Sequence, residues 1–540
     1  MINRTSIKTN LFCASILLCG ASAFAQREAA EQGKFEATWE SLSQYETPEW
    51  FRDAKFGIWA HWGPQCQPEA GDWYGRAMYE EGGDAYKKHI EKYGHPSEFG
   101  FKDVINEWKA EKWDPEKLVK LYKRVGAQYF FAMGNHHDNM DLWDSKYQRW
   151  NSVNMGPKRD ILAEWEKAAR KNGLPFGVSI HSSHAWTWYE TGQGADKKGP
   201  YAGIPYDARI ITKEDGKGKW WEGYDPQELY VQNHSLSEHI WHIWDWPEGT
   251  SRPTQAYYDN FFNRTVDMIN RYNPDLVYFD DSVLPFWPID DTGLDVVAHF
   301  YNHNLRMKGK DFSAVVFGKK LQDMHKEALV WDVEKGVPSA GQDKAWQTCT
   351  CLGNWHYDRS CYTGNWYKSA KTVVHMLIDI VSKNGNMLLS VPMRGDGTID
   401  DKEEKILEDI AAWMDINKEA IFGTRPWNVY GEGPSTENEI PLDGPGFNEG
   451  KNAAYTSADI RFTQKDGNVY AHVLDWPADG EIIVKSFAAT EGAPRVKKVS
   501  MLGAGNVKFR QTADGLRVTL PKDKKPNDIS FVLKIKCRIP

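Results

Sequence analysis

Up to about Trp427 the chain alternates two patterns of apolar residues. One is a short run that is apolar at nearly every position: Phe56-Gly57-Ile58-Trp59, Tyr129-Phe130-Phe131-Ala132, Phe176–Ile180, Leu276–Phe279, Ala314–Phe317, Ala328–Trp331 and Met387–Val391. Such runs suit strands buried on both faces, as parallel sheets require. The other is a longer stretch with helical periodicity, as at Ile161–Lys171, Tyr257–Tyr272, Tyr367–Ser382 and Glu403–Asn417. Strand–helix alternation over this length predicts an α/β domain, a (β/α)8-like TIM barrel ahead of an open doubly wound sheet. No GxGxxG follows any of these strands, which weighs against the dinucleotide-binding version of the open sheet.

The pattern changes after Trp427. A loop rich in Gly, Pro, Asn and Glu runs to about Lys451, and period-two alternation follows at Asp459–Phe462, Asn468–Val473, Ile482–Val484, Leu516–Leu520 and Ile529–Leu533. Alternation broken by turn residues predicts a C-terminal antiparallel β-sandwich. The expected division is a catalytic barrel over 26–427 and a sandwich over 428–540.

Residues 1–25 read as a secretory signal peptide: Arg4 and Lys8, an apolar run from Leu11 to Gly20, then Ala23-Phe24-Ala25 before Gln26. The run is short of the ~20 residues a membrane span needs. Export to the periplasm or extracellular space is therefore expected, with no membrane insertion after cleavage. A net charge of −9 argues against nucleic acid as a ligand, since phosphate binding needs a basic footprint. Past the leader stand Cys66, Cys349, Cys351, Cys361 and Cys537, an odd set without a CxxC, which supports neither a disulfide framework nor a zinc ribbon. The chain holds 25 Trp and 24 Tyr, flat apolar faces with polar edges that suit the C–H faces of sugar rings.

Candidate chemistry sits where strands end. The first run leads into His61, the second into His136-His137-Asp138, the third into His181, the fourth into Asp280-Asp281 and the sixth into Asp332-Val333-Glu334. In a parallel barrel these ends converge on one face, where active sites are built. A metal site is not expected, because adjacent His136 and His137 would point to opposite faces of a strand, and His239-x-x-His242 lacks an HExxH context. A serine hydrolase would need a GxSxG elbow, which is missing. A carboxylate pair remains, Asp280 with Glu334, and that is what glycoside hydrolysis requires.

Several motifs resemble glycoside hydrolase family 29, the α-L-fucosidases. They are Lys55–Gly63, Asp72-Trp73-Tyr74, His136-His137-Asp138, Gly156–Ile161, Pro274–Asp280, Asn384–Leu389, Gly423–Trp427 and Tyr430–Pro434, in family order along nearly the whole chain past the leader. The resemblance implies a barrel followed by a sandwich, retaining hydrolysis of terminal α-L-fucosyl residues, a fucosylated glycan as substrate, and no cofactor. It makes Asp280 the nucleophile, with Asp281 a rival, and Glu334 the acid/base, with Asp72 a rival and Gln347 standing where some relatives carry Glu. It gives His61, His136 and His137 to sugar hydroxyls, Trp73 to the pocket wall, and Trp355 to the C6 methyl group. The chain departs from the pattern at Asn135–Met140, at Ser179–Trp186 after the third strand, and in lacking the Arg that relatives place before the acid/base. An α-L-galactosidase on the same scaffold and a non-catalytic carbohydrate-binding protein are the alternatives.

Overall fold

The computed structural model describes residues 26–538 except 242–243, 443–445, 452, 492 and 522–523. The expected leader, residues 1–25, lies outside the described residues. Eight parallel strands close into a barrel in sequence order: β1 (Phe56–Ala60), β2 (Tyr129–Asn135), β3 (Phe176–Ile180), β4 (Leu276–Phe279), β5 (Val315–Gly318), β6 (Val330–Glu334), β7 (Trp346–Cys351) and β8 (Gly385–Ser390), which pairs back onto β1. Seven of these are the apolar runs of the sequence. The eighth, β7, is Trp-Gln-Thr-Cys-Thr-Cys, polar in composition yet buried at every position. Its polar atoms are paired across the barrel: Gln347 Nε2 donates to Asp332 Oδ1 at 2.9 Å, and Tyr129 Oη donates to Gln347 Oε1 at 2.9 Å. A search for apolar runs cannot find a strand whose side chains are buried by mutual hydrogen bonding.

Helices α1 (Pro115–Val125), α2 (Ile161–Lys171), α3 (Gln255–Tyr272), α4 (Thr292–Lys308), α5 (Ala370–Ser382) and α6 (Asp401–Asn417) cover the outside. The start of α5 at Ala370, three residues later than the periodicity predicts, is set by Ser369, whose Oγ accepts from Thr372 N at 3.1 Å. Tyr367 instead donates its hydroxyl to Asp400 at 2.6 Å. Asp400 itself caps α6, accepting from Lys402 and Glu403 N at 2.9 Å, while Glu403 Oε2 accepts from Asp400 N at 3.0 Å. Among the described residues no α-helix joins β5 to β6 or β6 to β7. Beside the β6–β7 connection lies chain from further on, with Asn448 bonded to Val337 through both backbone groups of that residue.

The C-terminal strands form two antiparallel sheets around a second core. They are β9 (Arg425–Glu432), β10 (Ile460–Lys465), β11 (Asn468–Val473), β12 (Glu481–Val484), β13 (Arg495–Met501), β14 (Gly505–Asn506), β15 (Lys508–Thr512), β16 (Gly515–Thr519) and β17 (Phe531–Arg538). One sheet runs β14-β13-β17-β11-β10-β9 and the other β12-β16-β15, with Phe462, Phe487, Leu516 and Leu533 packed between them. The boundary expected at residue 428 falls inside β9, which pairs with β10 from Arg425 onward. The alternation rule misses β13 because a register shift between Val496 and Lys498 breaks its period of two.

The two layers are tied by buried charge. Arg461 of β10 is 1% exposed and its Nε donates to Asp379 of α5. Asp379 also pairs with Lys383 at 3.1 Å, and Lys383 reaches Glu439 at 2.8 Å. Replacing Arg461 leaves two buried carboxylates sharing one ammonium. The variant Arg461→Ala is therefore expected to lower the unfolding free energy by about 3–5 kcal/mol, read from a guanidinium unfolding curve. An unchanged midpoint would show that the tie contributes nothing.

Candidate active site

The C-terminal strand ends open into a cavity of about 420 Å³. Asp280 follows β4, Lys319 follows β5, and Glu334 is the last residue of β6. Lys319 Nζ donates to Asp280 Oδ1 and, at 2.7 Å, to Glu334 Oε2. One ammonium therefore holds an oxygen of each carboxylate within two hydrogen-bond lengths of the other, at most about 6 Å. The second oxygen of Asp280 lies 3.0 Å from His137 Nε2 and 3.5 Å from His181 Nδ1. Burial works against the charged form of Asp280, yet the Lys319 ammonium and the two imidazoles outweigh it and hold the carboxyl well below the usual carboxylate range. The same carboxylates, against burial, hold the Lys319 ammonium well above the ordinary lysine range.

Behind the carboxylates stands a group of packed imidazoles. His61, His136, His181 and His356 meet ring to ring at 4.7–5.4 Å. Burial, reinforced by their neighbours, pushes His61 and His136 well below the ordinary histidine range. Burial also pushes His137 down to about 4, against the pull of Asp280. Neutral rings offer one donor and one acceptor each, the complement a sugar hydroxyl needs. His61 Nδ1 and His356 Nε2 are buried without a hydrogen-bond partner.

Two ligand sets in this group have metal-site spacing. His61, His136 and His181 each bring a nitrogen within 4.8 Å of the others, and His137, His181 and Asp280 do the same. His136 and His137 do not face apart, as strand alternation predicts, but sit side by side. Both lie beyond the end of β2, their ring centroids are 4.4 Å apart, and both pack on His181. The alternation of a strand does not extend into the turn that follows it.

Of the residues singled out from sequence, His61, Asp72, Trp73, His181, Asp280, Asp281, Glu334 and Trp355 line the cavity. His136 and His137 do not. His137 backs Asp280 and is itself held by the His181 carbonyl, 2.7 Å from Nδ1, while His136 Nδ1 accepts from Gln65 Nε2 at 2.6 Å. Asp72 accepts from His356 N at 2.7 Å at the far wall. Trp73 stacks on Trp241 at 6.0 Å, and Trp355 packs against Trp59 and His61 at 5.8 and 5.6 Å. Asp281 turns its carboxylate onto Ser183 Oγ at 2.8 Å and His184 Nε2 at 3.0 Å. Gln347 lies in the barrel interior on Asp332, whose carboxyl burial pushes up to about 6. Sequence reasoning missed Lys319. Its signal was present, a charged residue directly after the fifth apolar run, but only acids and imidazoles were sought there.

The chain matches the family model described as Alpha-L-fucosidase over residues 22–419 and that of the alpha-L-fucosidase C-terminal domain over 453–536. It is 26% identical to the tissue alpha-L-fucosidase of Rattus norvegicus over 516 residues, covering 94% of this chain and 92% of that protein. It is likewise 26% identical to the alpha-L-fucosidase of Branchiostoma floridae over 522 residues, covering 94% and 97%. Among solved structures it is similar to Thermotoga maritima alpha-fucosidase in complex with a mechanism-based inhibitor, with a TM-score of 0.67, 25% identity, and coverage of 93% of this chain and 99% of that one. A closed parallel barrel with paired carboxylates at its mouth and a sandwich behind it is thus accompanied by matches along nearly the whole sequence, and the chain belongs to the alpha-L-fucosidase family of glycoside hydrolases.

Proposed function

We propose that the chain hydrolyses terminal α-L-fucosides by double displacement, with Asp280 as nucleophile and Glu334 as general acid/base. The observation that carries this reading is the single Lys319 ammonium gripped by both carboxylates at the barrel mouth. Asp280 attacks the anomeric carbon while the bond to the leaving oxygen breaks and Glu334 supplies that oxygen with a proton. Glu334 then takes a proton from water as the water displaces Asp280 from the sugar. The short reach between the carboxylates agrees with the ~5–5.5 Å of retaining enzymes rather than the ~6.5–9.5 Å of inverting ones. His61 serves sugar hydroxyls, His137 orients Asp280, and the face of Trp355 takes the C6 methyl group. Export ahead of Gln26 belongs to the same proposal.

Three outcomes test it. Glu334→Ala is expected to lose about 10²–10⁴-fold in turnover of a fucoside and, with azide, to release α-L-fucosyl azide of retained configuration. Asp280→Gly with azide should instead yield the inverted β-azide, and an exchange of the two products would reverse the roles.

The second outcome concerns pH. Asp280 attacks as the anion, and Lys319 is the largest of the influences that keep it ionised against burial. In Lys319→Met burial gains the upper hand and the Asp280 carboxyl rises. The acid limb of the kcat/KM profile should therefore move to higher pH. A profile that keeps its acid limb would disconnect Lys319 from the nucleophile.

Third, intact mass of the protein recovered from outside the cytoplasm should start at Gln26. A full-length chain retained inside would remove the export proposal.

A further inference from the structure

Most of the chain between β9 and β10, residues 433–452, lies between the two family-matched stretches, the first ending at residue 419 and the second starting at 453. Part of it is laid against the active site. Gly446 forms a parallel bridge with Glu334, Phe447 N donates to the Glu334 carbonyl at 2.9 Å, and Glu449 N donates to the Lys335 carbonyl at 3.0 Å. Asn448, 3% exposed, accepts from Val337 N and donates to Val337 O, both at 2.9 Å. The Glu449 carboxylate takes Lys368 Nζ and Thr350 Oγ1, each at 2.6 Å. The approach is so close that a Cβ at position 446 would come 2.1 Å from the Glu334 carbonyl oxygen, which only glycine avoids.

Phe447 is the exception in this strap. Its neighbours are spent on anchoring, whereas its ring is 44% exposed and lines the cavity. It sits at φ 61°, a backbone region unfavourable for a bulky residue. A large apolar ring on an anchored backbone, in a costly conformation and open to the cavity, is placed for contact with a ligand.

Which part of the ligand follows from the neighbour. Glu334 is the group that protonates the leaving oxygen, so the chain paired with its backbone borders the side of the pocket from which the aglycone departs. We propose that Phe447 is the platform of a leaving-group subsite, stacking on the C–H face of the pyranose that carries the fucosyl residue, and so selects the aglycone. This rests on the acid/base role assigned to Glu334. The ligand class is a hexopyranosyl unit with an apolar ring face, since an aromatic ring buries such a face and gains little from a small or highly charged group.

The test compares leaving groups that do and do not reach the strap. Wild type, Phe447→Ala and Phe447→Trp are assayed on fucosyl-galactose, fucosyl-N-acetylglucosamine and α-L-fucosyl fluoride, whose leaving group is a single atom. Phe447→Ala should lose about tenfold in kcat/KM on the disaccharides, chiefly through KM, and less than about twofold on the fluoride. Phe447→Trp should restore the disaccharides. Equal losses on both kinds of substrate, or no loss on either, would overturn the proposal. Glu334→Ala, run alongside, separates the two assignments. If its kcat/KM, which reports the first displacement, falls as far on the fluoride as on the disaccharides, the acid/base role fails on its own account, whatever Phe447 does.

Discussion

The site depends on one shared charge. Two carboxylates at the end of a barrel filled with aromatic rings face a desolvation cost that neither could meet alone, and their mutual repulsion adds to it. Lys319 answers both at once, because consecutive parallel strands bring Asp280, Lys319 and Glu334 to the same rim from β4, β5 and β6. The closed barrel is what makes this possible, since it turns neighbours in strand order into neighbours in space. Its interior must then be packed without voids, and Trp59, Phe131, Tyr278 and Phe317 fill it below the cavity with ring centroids 4.9–6.1 Å apart.

Further positive charge is kept out of the same space. The imidazoles that surround Asp280 are buried and crowded, and both effects favour the neutral ring. A set of imidazolium groups there would pull the nucleophile toward ion pairing and away from attack. Neutral rings leave Lys319 as the dominant positive charge on Asp280 while still presenting hydrogen-bond donors and acceptors to a sugar.

The fold was legible in the sequence wherever burial was achieved with apolar side chains. Seven barrel strands, α2 and α3 and the main sandwich strands follow from that rule. The rule fails for β7, buried through hydrogen bonds, and for β13, where a bulge shifts the alternation. The site was legible in Asp280 and Glu334, because these stand at strand ends, whereas Asp72, Trp73 and Trp355 followed from the family resemblance and Trp244 carried no signal. Lys319 shares that position and was passed over only because its charge was of the wrong sign for the residues sought. Ser179–Trp186, which departs from the family pattern, meets the carboxylate pair through His181, whose Nδ1 lies 3.5 Å from Asp280. Ser183 and His184 hold Asp281 aside, and Trp186 stacks on His234 at 4.4 Å within the long connection to α3. Its effect is to give each of the two adjacent aspartates its own partners.

The strap at Gly446–Glu449 was not legible, because its partner lies more than a hundred residues earlier and its sequence reads as an ordinary polar loop. Its position nevertheless follows from the barrel. A strand pair joined without a covering helix leaves backbone groups of the connection in need of partners, and buried backbone groups do not stay unpaired. Between β6 and β7 those partners come from the chain that leads into the sandwich, at Lys335 and Val337. The absence of a helix on the barrel's flank and the arrival of a distant segment beside Glu334 are therefore two aspects of one solution. The sandwich contributes to the active site through the connection between its strands β9 and β10, while none of its described core residues lines the cavity.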